Sequence, residues 1–254
     1  LDCIGPIGKT VGDVEAVFEA IKGHDGMDST SISPRSDLGE KVEKPVIGVP
    51  RHLLEMDGVS EAQHHFSSRG KVVLGEDVLS NFDEAITKFE SLGYEVKDIE
   101  LPNVKYSVSS YYVVMPAEVS SNLARFDGVK YGLHEDGENL IDDYFKTRGA
   151  GLGTEVKRRI LLGTFARMSG YRDAYYLKAM KVRTRVINEF KSVLKKFDAI
   201  AAPTMPIKAP KFTEIEKLTP LQNYQMDALT VPVNLAGMPH ITVPSGKFTG
   251  LHLM

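Results

Sequence analysis

Between residues 76 and 92 the apolar side chains fall at Val78, Leu79, Phe82, Ile86 and Phe89, with mostly polar residues between them. This spacing marks one face of a helix, and Gly93 directly after it is the residue type that ends helices in a left-handed turn. Apolar runs of another kind flank it. Val46-Ile47-Gly48-Val49 is continuous and closed by Pro50, as a buried strand would be, and Tyr94-Glu95-Val96-Lys97-Asp98-Ile99 reads as a second strand. Strand, helix and strand in this order predict a right-handed βαβ unit with parallel strands.

The same patterns continue on both sides. Thr10 and Asp13 have capping-box spacing. Val14, Val17, Phe18 and Ile21 then follow a helical period up to Gly23. Residues 24–43 form a polar loop, and residues 51–74 are polar and irregular enough to predict an exposed insertion. Helices are expected over 109–126, 140–147, 154–168 and 171–197. Asp198-Ala199-Ile200-Ala201-Ala202 reads as a strand entering Pro203. A Pro/Lys-rich loop then leads to a helix around 226–235 and to Ile241-Thr242-Val243. The chain stops at Gly250-Leu251-His252-Leu253-Met254, which reads as a strand still in progress. Alternating strands and helices argue for an α/β fold, with 1–254 as one domain.

Composition narrows the function classes. The 254 residues are 42% hydrophobic and 26% charged, ordinary values for a globular domain. No apolar run approaches the ~18–20 residues of a membrane-spanning helix. A formal charge of −3 gives no general attraction to nucleic acid. The single cysteine, Cys3, excludes an internal disulfide, fits a reducing compartment and is expected to be a small buried residue.

Candidate chemistry is sparse and each instance has a plain structural reading beside it. Gly149-Ala150-Gly151-Leu152-Gly153 lacks both phosphate-loop spacings and reads as a flexible turn between helices. His64 and His65 are adjacent, so their side chains diverge and do not form a metal pair. Lys178, Lys181, Arg185 and Lys195 share one side of a helix, as a tRNA contact or as a solvated face; Val182, Val186, Phe190, Val193 and Phe197 opposite them read as core. Arg158 and Arg159 point about 100° apart on a helix, so one can turn inward while the other stays wet. An inward arginine needs an anion, either from the protein or from a ligand. Asp227 sits at a predicted helix start, where a carboxylate can cap the helix or serve a ligand. Tyr111 and Tyr112 read as packing residues with hydroxyls at the rim.

Several blocks together carry a resemblance. They include Leu1-Asp2 with Ile4-Gly5-Pro6, His24-Asp25 with Asp28-Ser29-Thr30-Ser31, and Ser110-Tyr111-Tyr112-Val113-Val114. Ala117-Glu118-Val119-Ser120-Ser121-Asn122-Leu123-Ala124-Arg125-Phe126, Val156-Lys157-Arg158-Arg159-Ile160-Leu161-Leu162-Gly163 and Thr230-Val231-Pro232-Val233-Asn234-Leu235-Ala236-Gly237 extend it. The chain resembles the amidase signature family, and within it the glutaminase subunits of tRNA-dependent amidotransferases. The resemblance implies an α/β amidase-signature fold, a mixed sheet flanked by helices, incomplete at both ends.

It also implies hydrolysis of glutamine to glutamate and ammonia. The nucleophilic serine, the cis-bonded serine and the lysine base of the family would lie upstream of Leu1. No catalytic residue is then expected in this chain, which alone should be inactive. The resemblance assigns Arg159 to the α-carboxylate of glutamine, Asp227 to its α-ammonium and Tyr111 to the pocket wall. It implies no cofactor or metal in this polypeptide. ATP and magnesium would serve a tRNA-binding partner, with a small third polypeptide joining the two, and tRNA would be met mainly through the larger partner. The expected compartment is the cytoplasm, or an organelle in a eukaryote. A stand-alone amidase and a non-catalytic fragment remain as alternatives.

Overall fold

The computed structural model describes residues 1, 4–29, 31, 33, 42–56 and 72–254. Cys3, the His64-His65 pair and residues 57–71 of the expected insertion lie outside the described residues. The strands are β1 (Val46–Val49), β2 (Leu54–Met56), β3 (Val72–Leu74), β4 (Glu95–Asp98), β5 (Ala199–Pro203), β6 (Ile241–Gly246) and β7 (Thr249–Leu253). The helices are α1 (Val11–Ile21), α2 (Glu76–Ser91), α3 (Ser107–Asn122), α4 (Leu140–Gly151), α5 (Thr154–Arg167), α6 (Lys178–Val193), α7 (Phe212–Ile215), α8 (Pro220–Gln225) and α9 (Val231–Ala236).

Five strands form one sheet in the order β4-β1-β5-β7-β6. β1 runs parallel to β4 and β5, while β7 is antiparallel to β5 and β6, so the sheet is mixed. The expected βαβ unit is present, with α2 between the parallel pair β1 and β4. Successive residues of a strand face opposite sides. Ala201 therefore joins Ile47, Val49, Phe82, Ile86 and Leu251 under α2. Its neighbour Ile200 joins Ile99, Leu101, Val186, Phe190 and Ala236 under α6 and α9. Burying one such Phe or Ile side chain contributes roughly 1.5–3 kcal/mol. At Gly48 a Cβ would lie 2.9 Å from Ile99 Cγ2 and 3.3 Å from Phe197 Cδ1, so glycine is what lets β1 sit under this layer. Asp198 clips β5 to β1: its Oδ2 accepts from the Val46 amide at 2.7 Å and its own amide donates to the Val46 carbonyl at 2.9 Å.

Most predicted elements are present, with five instructive departures. Residues 51–56 and 72–74 of the expected insertion are not irregular. They form a short 3-10 turn and the parallel pair β2–β3, and Leu53 and Leu74 are buried. These two leucines carry enough apolar area to anchor the segment's ends, which its polar average hid. Secondly, Gly149 to Gly151 belong to α4, so the turn to α5 is only Leu152 and Gly153. Arg148 holds this last turn by donating to the carbonyls of Leu123 (3.1 Å) and Phe126 (2.8 Å), and Lys157 Nζ reaches the Gly149 carbonyl at 2.7 Å. Thirdly, the helix expected at 171–197 opens with a π turn at Asp173–Leu177 before α6. Lys178, Lys181, Arg185 and Lys195 along it are exposed.

The fourth departure bears on function. The helix expected around 226–235 is two pieces, a 3-10 turn (Met226–Leu229) continuing α8 and then α9. Pro232 lacks the N–H that would bond the carbonyl four residues earlier, so the chain cannot run through as one helix. Helix α1 departs in another way. Its capping box forms as expected, yet it has no buried residue, and Val17, Phe18 and Ile21 are about half exposed.

Helices α3 and α5 pack most intimately of all. A Cβ on Gly163 of α5 would lie 1.8 Å from the Pro116 carbonyl oxygen in α3. Pro116 also removes the intrahelical bond to the Tyr112 carbonyl, which loosens α3 at this crossing. Arg167 strengthens the contact by donating to Ser121 Oγ at 2.8 Å. Ser110 Oγ ties α3 to α6 through the Ala179 carbonyl at 2.9 Å.

This packing can be tested at two points. Gly163→Ala forces the two backbones apart and should lower stability by about 1–3 kcal/mol or more, the usual scale of overpacking. Urea unfolding measures it, and an unchanged midpoint would mean that α3 and α5 are not this close. The second point is His252 of β7, which is fully buried with Nε2 2.9 Å from His240 Nδ1. Burial, and then the neighbouring His240, push its pKa down from 6.5 to about 4, against the pull of the Leu229 carbonyl. Between these values the unfolded chain binds a proton that the folded chain refuses. This contribution is therefore complete above pH ~6.5 and lost as pH falls toward ~4, by up to about 3 kcal/mol. Unfolding curves across that window should show the loss, and His252→Gln should flatten it.

Candidate functional site

Four elements bring their polar side chains to one place. Helix α3 supplies Tyr111 and Tyr112. Helix α5 supplies Glu155, Arg158 and Arg159. Helix α8 supplies Tyr224, and the 3-10 turn after it supplies Asp227. Local sequence explains each placement. Thr219 starts α8 with a capping box to Gln222 and with Pro220 at the first helical position. The break before Pro232 holds Asp227 in a tight turn rather than in a regular helix. The glycine contact at Gly163 sets the distance between the α3 and α5 contributions.

The contacts run in a line. Arg159 Nε donates to Glu155 Oε1 at 3.0 Å. The same oxygen accepts from Tyr224 Oη at 2.8 Å. Tyr224 stacks on Tyr112, with ring centroids 3.9 Å apart and planes 22° from parallel. Tyr112 Oη donates to Asp227 Oδ2 at 2.8 Å. Tyr111 meets Tyr112 edge-on at 5.2 Å. Arg158 pairs with the second oxygen of Glu155. Arg159, Glu155, Asp227 and all three tyrosines are half-buried.

Electrostatics match these contacts. Burial raises the Tyr112 pKa, and the hydrogen bond and charge of Asp227 raise it further, while the Arg159 charge acts the other way. Burial and the bond to Glu155 raise the Tyr224 pKa. Burial works to raise the Glu155 pKa too, but the Tyr224 and Arg159 hydrogen bonds and the two guanidinium charges together hold it below its usual value. Glu155 is thus an anion among donors, and both hydroxyls keep their protons.

All three sequence-derived candidates, Tyr111, Arg159 and Asp227, lie in this cluster. Two details differ from expectation. Arg159 is the more buried arginine, yet Arg158 also turns to Glu155, because positions i+3 and i+4 both neighbour i on a helix. Asp227 is not a helix cap, since its carboxylate takes the Tyr112 hydroxyl and makes no cap bond. Sequence patterns pass over Glu155 and Tyr224 and give Tyr112 only a packing role. The i, i+4 spacing of Glu155 and Arg159 was the available signal. Tyr224 sits in a polar segment with no periodicity to mark it. Among the described residues, no group of His, Cys, Asp and Glu side chains could hold a metal ion, and no helix is long and apolar enough to cross a membrane.

The sequence profile of the amidase family matches residues 1–251. The chain belongs to the amidase family. Among its relatives, the A subunit of glutamyl-tRNA(Gln) amidotransferase from Thermotoga maritima is 44% identical over 250 residues, covering 97% of this chain and 49% of that protein. The protein of the same name from Staphylococcus epidermidis is 44% identical over 256 residues, covering 98% and 49%. This amidase-family chain spans about half the length of the curated relatives it matches. The crystal structure of the Thermotoga maritima protein superposes with a TM-score of 0.67 at 36% identity, over 98% of this chain and 48% of that one. A bacterial aryl acylamidase of the amidase signature family has a TM-score of 0.64 at 19% identity over 98% of this chain and 48% of that one, a likeness of fold alone.

The Tyr112–Asp227 bond can be tested apart from activity. Asp227→Asn removes the charge and weakens the acceptor, so Tyr112 should ionise at lower pH. Its pKa should stay above the ordinary tyrosine value near ~10, because burial, the larger cause, remains. A titration followed by NMR of 13Cζ-labelled tyrosine reads this, with Tyr112→Phe assigning the signal. Identical titration in both proteins would mean that the contact is not made in solution.

Proposed function

We propose that this chain is the glutamine-recognising half of a glutaminase subunit in a tRNA-dependent amidotransferase. The observation that carries the reading is the convergence of one guanidinium, Arg159, and one carboxylate, Asp227, on a single wall of stacked tyrosines. A free α-amino acid is a cation and an anion on one carbon, and this pair is its complement. Arg159 would take the α-carboxylate, because the planar fork can bond both oxygens. Asp227 would take the α-ammonium with the oxygen that Tyr112 leaves, and Tyr111 would line the pocket.

The chemistry at the side-chain amide would come from residues outside these 254. In this reading a serine attacks the amide carbon. A second serine passes its proton to a lysine, and backbone N–H groups hold the oxyanion. Ammonia leaves, and water then releases glutamate. The similarity to the glutamyl-tRNA(Gln) amidotransferase proteins supports the wider assignment. The ammonia would convert Glu-tRNA(Gln) to Gln-tRNA(Gln) on a tRNA-binding partner that uses ATP and magnesium. A small third polypeptide would join the two, and the compartment would be the cytoplasm.

Kinetics on the full-length protein in its complex test this. Arg159→Lys keeps the charge and loses the fork. It should lower kcat/KM for glutamine by about 1.5–3 kcal/mol, the scale of hydrogen bonds to charged groups. Asp227→Asn should lower glutamine use too, and much less so for 4-carbamoylbutanoate, which lacks the ammonium. Equal losses on substrates with and without the charged groups would make both residues structural.

A further inference from the structure

We infer that Glu155 and Tyr224 are positioning residues that aim the Arg159 fork and fix its distance from Asp227. This inference rests on the reading of Arg159 as the carboxylate clamp. The geometry on Arg159 is specific. Glu155 bonds Nε, at the side of the guanidinium, and leaves the edge formed by the two Nη groups for a second carboxylate. An anion placed across that edge would compete with substrate, whereas one at Nε orients the fork and leaves its two-pronged edge open.

Glu155 is itself held on both oxygens. Oε2 faces Arg158, and Oε1 takes the Tyr224 hydroxyl at 2.8 Å as well as Arg159. Tyr224 comes from α8, so it fixes the carboxylate against a second element and not only along its own helix. Its ring lies flat on Tyr112, whose hydroxyl holds Asp227. One unbroken path of contacts, Arg159 to Glu155 to Tyr224 to Tyr112 to Asp227, therefore spans the two clamps. Such a path sets their separation, and the separation selects substrates with an ammonium and a carboxylate on the same carbon. An exposed i, i+4 ion pair would only add a few tenths of a kcal/mol to helix stability. It would not alter which substrate is chosen.

The test compares glutamine with 4-aminobutanamide, which keeps the amide and the ammonium and lacks the carboxylate. The assay uses the full-length protein in its complex. The readout is the ratio of the two kcat/KM values. Glu155→Ala should lower this ratio about tenfold or more, mainly through KM for glutamine. Tyr224→Phe keeps the stack and loses the hydroxyl, and should lower it about threefold. Glu155→Gln keeps an acceptor for Nε and should recover part of the ratio that Ala loses. A wild-type ratio in Glu155→Ala, beside a lowered ratio in Arg159→Lys, overturns the inference and leaves the carboxylate clamp standing. A wild-type ratio in Arg159→Lys as well overturns the clamp and the inference with it. A Gln variant as impaired as Ala overturns positioning through the hydrogen bond.

Discussion

Helices α3 and α5 meet backbone to backbone where Gly163 lies against the carbonyl of Pro116. A side chain of any size at that point would separate the two helices by a substantial fraction of a methyl diameter. The contact lies one turn from Arg159 along α5 and one turn from Tyr112 along α3, so the spacing it imposes passes directly to the site. Proline and glycine act together here. Proline removes an intrahelical bond of α3, and glycine opens the surface of α5 that receives the Pro116 carbonyl. The sheet beneath takes part indirectly: it buries α6 and α9, and α3 is tied to α6 through the Ser110 hydroxyl.

The charged cluster that results is better understood as an orienting device than as a source of stability. Half-buried ion pairs lose hydration about as fast as they gain attraction, so Glu155 between two arginines contributes little net free energy. What it does contribute is direction. A guanidinium has five donors in a rigid plane, and fixing one of them fixes the orientation of the rest. The tyrosines do the same for carboxylates. Each hydroxyl consumes one lone pair of Asp227 or Glu155 and so limits where a further donor can approach.

Much of the fold was legible in the sequence. The runs Val46 to Val49 and Ala199 to Ala202 are strands because they are apolar throughout, and α2 is a helix because Val78, Phe82 and Ile86 keep one face. These signals are local, and burial on the sheet reinforces them. What the patterns missed depends on single residues or on distant partners. The end of α4 is helical through Gly151 because Arg148 anchors it to the Phe126 carbonyl and Lys157 of α5 reaches the Gly149 carbonyl, contacts that no local periodicity displays. Leu53 and Leu74 bury the ends of a segment that is polar on average. At the site, Arg159 and Asp227 stood out as charges that needed explaining. Glu155 did not, because a glutamate four residues before an arginine reads as a solvated helix pair, and Tyr112 and Tyr224 did not, because a tyrosine reads as packing until the partner of its hydroxyl is known.

That asymmetry has a physical reason that also bears on specificity. A charge expected to turn inward must be compensated, so Arg159 and Asp227 already called for partners. A tyrosine can be buried on its ring alone, so its hydroxyl carries information only in three dimensions. Here the two stacked rings are the neutral part of the path, and their hydroxyls point to different carboxylates, Asp227 from Tyr112 and Glu155 from Tyr224. Replacing that stack by another ion pair would tie Asp227 to Arg159 just as firmly, but it would place two further charges between them. On the proposed reading, each of those charges would repel one end of an amino-acid substrate and attract the other, and so distort the match to Arg159 and Asp227. On that reading, a neutral aromatic spacer fixes their separation without adding to the field that such a substrate's two charges would meet.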